Sequence, residues 1–504
     1  MILLDGDSLT IEQLVAIAAD GALVALSEGA RARVRAAREV VDDFGGRDAP
    51  TYGINTGFGN FADVTIEPAS LAALQVNLLR SHAAGVGDPL PVEAVRAAMA
   101  LRVNVLAKGY SGVRLETLDL LVAMLNRRVH PRVPARGSVG ASGDLAPLAH
   151  IALVLIGEGD VAAGDALEPG AYALGRAGLA PVTLAPKEGL ALINGTQPST
   201  AVLALAVDDA ERLARAADIV AALSIDGLQG STRPFDARIH AARGFEGQAA
   251  SAANLRRLLA GSGINAAHAD CGRVQDAYSM RCAPQVHGAA RDGLRFVRRV
   301  VATEANAATD NPMVFADSGD IVSGGNFHGA PVAMAADLLC IAAAHLATIS
   351  ERRADRLVNP ASSGLPAFLT RHGGLHSVLM MAQVTAAALT SELKTLAHPA
   401  SVDTIPTSGN KEDHVSMSMA AALKAARAVG AARYVLAVEL LCAGQAIDLL
   451  RPLATSAPLA RVHAALRAHV PPRDDDRPPA PDIERAAQLI ARGDLERACE
   501  MNVN

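Results

Sequence analysis

The chain has no tryptophan, and aromatic residues make up only 3% of its 504 positions. Its apolar half is built chiefly from Ala, Leu and Val. Ala and Leu are the strongest helix formers, and small side chains let long helices pack closely, so a mainly all-α protein is expected. Cysteine is scarce too. The five, Cys271, Cys282, Cys340, Cys442 and Cys499, are odd in number and show no CxxC spacing. That argues against a disulfide framework or a zinc site and fits a reducing cytoplasm. Charge of one sign is lacking: 46 basic and 52 acidic residues leave a net charge of −6, which excludes a broad basic field for nucleic acid. The opening MILLDGDSLTIEQL lacks a basic start followed by an apolar core, so no secretory leader is expected. The most apolar run, around 332–349, is interrupted by Asp337 and His345 and reads as a buried helix, not a membrane span. HExxH, the phosphate-loop motif and GxGxxG are missing, so neither a catalytic metal nor a nucleotide is expected.

A chain of this length predicts two or three folding units. Ser8 and Thr10 are candidate caps for a first short helix, and Val34, Ala37, Val40 and Val41 mark an amphipathic second one. The glycine-rich TYGINTGFGNF (51–61) predicts a loop that lets backbone approach something closely. Helical periodicity returns over 69–126, a loop follows at 131–144, and 145–156 reads as a buried helix. Gly, Pro and Ala dominate 157–189, predicting a small irregular or β-containing excursion. Later come long helices near 199–223, 286–307, 329–358, 377–397 and 415–450, the last stopping before Pro452 and on the order of 50 Å long. A helix that long must bury its stripe against neighbours, as in a long-helix bundle. The expected division is 1–195, an N-terminal part holding the loop discussed next; 196–470, the bundle; and 471–504, a Pro-rich linker and short helix.

The most informative segment is GSVGASGDLAPL (137–148). In Ala141-Ser142-Gly143 the glycine has no Cβ, so its nitrogen can approach the Ala141 carbonyl and close a five-membered ring. Loss of water from the ring and from Ser142 would leave a methylidene conjugated to carbonyls, an electrophile made without any added cofactor. The bare tripeptide is most often a flexible loop. A nucleophile elbow requires G-x-S-x-G, and position 144 is Asp.

The flanking residues decide between these readings. The whole string resembles the signature of the aromatic amino-acid ammonia-lyase family, which carries a 4-methylidene-imidazol-5-one. The blocks TYGINTGFG (51–59), SHAAGVG (81–87), EGLALINGTQ (188–197), VQDAYSMRCAPQVHG (274–288), SGGNFHG (323–329), SGLPAFL (363–369), LAHPASVD (396–403) and EDHVSM (412–417) resemble the family's in its own order. Within the family the likeness is strongest to members that act on histidine. The resemblance therefore implies elimination of ammonia from L-histidine to give trans-urocanate, the entry step of histidine degradation.

Such an elimination must activate the amine, hold the carboxylate and place a base for a barely acidic β-proton. The electrophile does the first job. The resemblance implies that Arg281 clamps the carboxylate and that Asn194 and Gln275 are the polar residues beside ring and carboxylate. It implies Tyr52 as the base, with Tyr278 supporting the electrophile or the proton relay. A tyrosine ionises near pH 10, so the site must help it. Phe327 resembles the aromatic residue that packs near the ring, although plain core packing would also explain it. His82 and Glu412 match the histidine-type selectivity positions, where an imidazole substrate finds hydrogen-bond partners.

Two departures stand out. Lys411 precedes Glu412 where Gln is common, and its ammonium could pair with Glu412 or favour another substrate. Ala277 stands where Pro is common, loosening a turn next to Tyr278. A separate pair, His372 and His376, is four residues apart, but Gly373 and Gly374 argue for a loop. The resemblance also implies a homotetramer with each active site drawn from three subunits, and no nucleic-acid or membrane partner. Open alternatives are a lyase or 2,3-aminomutase acting on tyrosine, phenylalanine or a histidine-like amine, and a catalytically silent relative.

Overall fold

The computed structural model describes residues 1–45, 51–57, 59–61, 63–164, 166–269, 271–500 and 503. Among the described residues are 21 α-helices and eight strands of three or four residues, which pair only as two-stranded ribbons. The protein is mainly helical, as its composition dictates.

Local signals act where expected. Thr10 caps the helix Ile11–Ala18: its side chain accepts from Gln13 N while the Gln13 side chain accepts from Thr10 N, at 3.2 and 3.0 Å. That reciprocal pair satisfies two otherwise orphaned donors. Ser8, the other candidate, instead donates to Asp5. The longest helices are Gln197–Gly227, Ala330–Val358 and Ser418–Leu449, with 31, 29 and 32 residues. The last spans roughly 48 Å. In Ala330–Val358 the most apolar window is 67% buried within the chain, which fits the expected buried helix. Segment 157–189, expected to be irregular or β-containing, holds a hairpin, Asp160–Ala163 against Ala166–Pro169, and an unexpected helix, Gly170–Arg176. Beyond the Pro-rich stretch lie two helices, Ala480–Ala491 and Asp494–Cys499, where one was expected. His372 and His376 lie outside any helix, with ring centroids 6.4 Å apart.

The described chain forms two compact units. The first comprises Met1–Asp208, Arg298–Asp337 and Pro399–Leu423. In it Val92–Ala107 packs against Ile11–Ala18 and Leu115–Asn126, while Leu71–His82, Leu145–Leu155 and Glu188–Ile193 pack on one another. Ala37, Val41, Ile54 and Val314 form a fully enclosed apolar cluster at one side.

The second unit comprises Asp209–Val297, Leu338–His398 and Lys424–Asn504. Its helices come so close that a Cβ added at Gly227 would lie 3.0 Å from the Ala446 Cβ. Small side chains are what make this packing available. Two buried charge clusters tie these helices together. Asp218 accepts from Arg291 at 2.6 Å and Asn254 at 2.8 Å, and pairs with the His287 ring at 2.8 Å. Glu439 accepts two bonds from Arg353, at 2.5 and 2.9 Å, and one from Ser224 at 2.6 Å. Removing one partner of a buried ion pair strands the other charge, a loss of about 3–5 kcal/mol. Arg353→Met should therefore lower unfolding stability by about that amount, read as a fall in the denaturant midpoint; an unchanged midpoint would show that Glu439 finds another partner.

Candidate active site

The motif loop is set by contacts that only glycine permits. Gly143 has φ +72°, and a Cβ there would lie 2.2 Å from the Gly195 carbonyl oxygen. The two backbones are bridged, and Gly195 O accepts from Asp144 N at 2.7 Å. Gly140 has φ +67°, and a Cβ there would meet the hydroxyls of Ser416 and Ser418 at 2.3 Å. Ser416 Oγ in turn donates to Gly140 O at 2.8 Å, and Met417 N donates to Val139 O at 2.7 Å. Asp144, fully enclosed, accepts from Ser138 Oγ at 2.7 Å and Ser199 N at 2.8 Å. Burial raises its carboxyl above the usual range despite those bonds.

Two adjoining pockets of the first unit, about 670 and 650 Å³, share Tyr52, Ser142 and Glu412. One is also lined by Ala141 and Phe327, the other by His82 and Asn194. The expected candidates from widely separated blocks thus meet here, with Gly143 behind them as the tight turn. Ser142 Oγ donates to Glu412 Oε1 at 2.8 Å. The other Glu412 oxygen accepts from Thr407 at 2.6 Å and Ser408 at 2.8 Å. Burial alone would raise this carboxyl, but the three hydroxyls and the nearby His82 ring hold it below the ordinary range. Lys411 lines the same wall, is exposed, and forms no ion pair among the described residues. Of the two roles open to Lys411, the pairing with Glu412 is not formed, and hydroxyls occupy the carboxylate instead.

His82 Nδ1 lies 2.9 Å from Leu78 O and 3.0 Å from Ser81 Oγ. A carbonyl only accepts, so Nδ1 carries the proton and Nε2 is left as an acceptor. Burial lowers the ring's pKa, against the opposing pull of Leu78 O and Glu412, and favours the neutral form. Tyr52 is half-buried; burial raises its phenol above 10, with Glu412 adding to the rise and the Gly59 backbone opposing it. The first unit by itself therefore does not supply the help toward ionisation that a basic Tyr52 needs. Asn194 Nδ2 donates to Asn311 O at 3.3 Å, while Oδ1 is buried without a partner among the described residues.

Gln275, Tyr278 and Arg281 belong to the second unit. Gln275 and Arg281 line a cleft of about 500 Å³ there. The Arg281 guanidinium stacks 4.5 Å above the Tyr278 ring, and Tyr278 is 70% exposed. Ala277 precedes the short helix Tyr278–Arg281 with φ −63°. Proline shares that angle, so the turn keeps its form without it. Arg353 NH1 donates to Ser279 O at 3.2 Å and supports this helix from behind.

Sequence reasoning missed the buried charges behind the loop. Arg102 donates to the carbonyls of Ala191 and Asn194, and Lys187 pairs with Asp310 at 3.1 Å with both side chains essentially unexposed. The available signal was Arg102, the only charged residue in the mostly apolar run AMALRVNVLA (98–107). The hydroxyls of Thr407, Ser408 and Ser416 carried none.

A family model described as aromatic amino acid lyase matches residues 9–468. The chain belongs to the aromatic amino acid lyase family. It is a carbon–nitrogen lyase. It is 58% identical to a histidine ammonia-lyase of Anaeromyxobacter sp. (strain K), covering 98% of this chain and 99% of that one. Among solved structures it is similar to histidine ammonia-lyase from Trypanosoma cruzi, with a TM-score of 0.92, 45% identity and coverage of 99% and 95%. It is also similar to tyrosine aminomutase from Streptomyces globisporus, with a TM-score of 0.95, 38% identity and full coverage of both chains. The family uses a self-formed methylidene-imidazolone, and the residues present fit it. Position 143 lies where any side chain would strike Gly195, the Ser142 hydroxyl opens on the pocket, and a buried amide oxygen of Asn194 is unused. Gly143→Ala should leave a lyase whose intact mass equals the encoded sequence. Activity should fall by roughly 10³-fold or more, at least about 4 kcal/mol of barrier; a variant that still lost two waters would show that the close approach to Gly195 is dispensable.

Proposed function

We propose that this chain eliminates ammonia from L-histidine to give trans-urocanate. The observation that carries this reading is the pairing of His82 and Glu412 around a pocket that also holds Ser142 and Tyr52. The neutral His82 ring, with Nδ1–H engaged by Leu78 O, leaves Nε2 to accept the N–H of a substrate imidazole. The Glu412 carboxylate, which keeps the Thr407 and Ser408 hydroxyls as donors after the Ser142 hydroxyl leaves, faces the other side of that ring and stabilises positive charge on it. A phenyl ring would leave His82 Nε2 without a donor, and neither a phenyl nor a phenol ring carries a positive charge for Glu412 to stabilise.

Ala141, Ser142 and Gly143 would form the methylidene-imidazolone, which supplies an electrophilic carbon that turns the α-amine into a leaving group. Tyr52 Oη removes the β-proton, and Tyr278 assists the relay or the electrophile. Arg281 grips the substrate carboxylate through two charge-assisted bonds, and Gln275 and Asn194 orient it. Phe327 packs beside the ring. We propose a homotetramer in which three subunits build each site. The exposure of Gln275 and Tyr278 supports it, since a substrate-binding pair left open to solvent fits a surface that another copy covers. A cytoplasmic setting fits five cysteines that form no disulfide among the described residues.

Purified protein given L-histidine should develop the absorbance of urocanate, and Ser142→Ala should abolish it while the fold stays intact. The rival substrate is tyrosine, as in the aminomutase of similar structure. Preference for tyrosine, with coumarate or a β-amino acid as product, would overturn the histidine assignment.

A second expectation concerns pH. Because burial raises the Tyr52 phenol above 10, only a small fraction is ionised at pH 7. That fraction grows about tenfold per pH unit below the pKa, so kcat should climb with pH on the alkaline side. Tyr52→Phe should remove that rise along with most of the activity. Matching kcat–pH profiles for the two proteins would exclude Tyr52 as the base.

A further inference from the structure

Arg102 is 1% exposed, in the middle of the helix Val92–Ala107. Its guanidinium donates to Asn194 O at 2.8 Å, to Gln197 Oε1 at 2.7 Å and to Ala191 O. Its Nε is buried without a partner among the described residues. Asp310, the carboxylate that acts on it electrostatically, is itself paired with Lys187. A buried cation without a carboxylate of its own is costly, so the geometry it holds is the matter to explain.

That geometry is specific. Ala191 and Asn194 close the helix Glu188–Ile193, and Gln197 opens the helix Gln197–Gly227. Arg102 thus staples the end of one helix to the start of the next and fixes the turn Asn194-Gly195-Thr196 between them. Gly195 has φ +156°, and a Cβ there would lie 2.5 Å from the Arg102 guanidinium and 2.4 Å from Gln197 Oε1. On its other side the Gly195 carbonyl is the atom that a Gly143 Cβ would strike at 2.2 Å. The Gly195 peptide is therefore a thin wall with Arg102 behind it and Gly143 in front.

We propose that Arg102 is a positioning residue for closure of the 141–143 ring. This rests on the reading that these residues mature into the electrophile. In closure a bond forms from Gly143 N to the Ala141 carbonyl carbon. The Ala141 oxygen leaves as water with the amide hydrogens of Ser142 and Gly143. The Ser142 Cβ–O bond then breaks, and the hydroxyl leaves as a second water with the Ser142 Cα hydrogen. No oxidant is consumed. The peptide must hold still for this, and Arg102 confines it by backing the wall that confines Gly143.

The test is intact mass of soluble protein, with circular dichroism as the check on folding. Wild type should have lost two waters in every chain. Arg102→Met should keep the encoded mass in most chains despite a native helical spectrum. Arg102→Lys should fall between, since an ammonium can still donate to part of the acceptor set. If Arg102→Met is insoluble, Gln197→Leu, which removes one acceptor, should show the same maturation defect. A folded Arg102→Met, or failing that Gln197→Leu, that matures to the wild-type extent overturns the role of Arg102 and leaves the electrophile reading standing. Wild-type protein at its encoded mass would instead overturn that reading, and this inference with it.

Discussion

The close approach of the Gly143 and Gly195 backbones governs the organisation of the first unit. A single added methyl group at either residue would meet a neighbouring atom at 2.2 to 2.4 Å. Such a contact survives only where both residues lack a Cβ and both flanking segments are pinned. Asp144 pins the front segment through Ser138 and Ser199, and Arg102 pins the rear through Asn194 and Gln197. The glycines at 140 and 329 extend the arrangement, since side chains there would collide with Ser416 or Ser418. A loop that looks permissive in sequence is in fact over-determined in space.

Around that loop the site uses charge sparingly. Glu412 is held as an ionised carboxylate by the hydroxyls of Thr407 and Ser408, joined before ring closure by that of Ser142. His82 stays neutral because burial outweighs the pull of Glu412. The result is an acceptor and a carboxylate that do not neutralise each other, which suits an imidazole with two ring nitrogens to satisfy. The buried charges behind the loop, Arg102, Lys187 and Asp310, are paired or stapled to carbonyls, as low-dielectric surroundings require. The second unit follows the same rule with Asp218 and Glu439, and its Arg353 supports the helix that carries Tyr278 and Arg281.

Much of this was legible in the residues. The Ala and Leu content and the absence of proline from Ser418–Leu449 forecast a long helix, and Thr10, offered beside Ser8, forecast a cap. Helix propensity and capping are local, so one sequence window contains the information. The motif 137–148 forecast a tight glycine-dependent loop, and Gly143 lies where a Cβ would strike the Gly195 carbonyl. The helix Gly170–Arg176 was not forecast: two glycines weaken its propensity, and packing on the preceding hairpin and Leu145–Leu155 compensates.

The sequence by itself determined the helical class, the glycine-rich loop 137–148 and, through block order, the family. Tertiary structure alone decided that three hydroxyls, and not Lys411, hold Glu412, that His82 carries its proton on Nδ1, and that Arg102 backs the Gly195 turn. Those outcomes depend on which groups the folded backbone brings within about 3 Å of one another, whether nearby in the chain, as Leu78 is to His82, or far along it, as Asn194 is from Arg102. Hydrogen bonding, burial and exclusion at that range are properties of position in space, and no spacing along the chain encodes them.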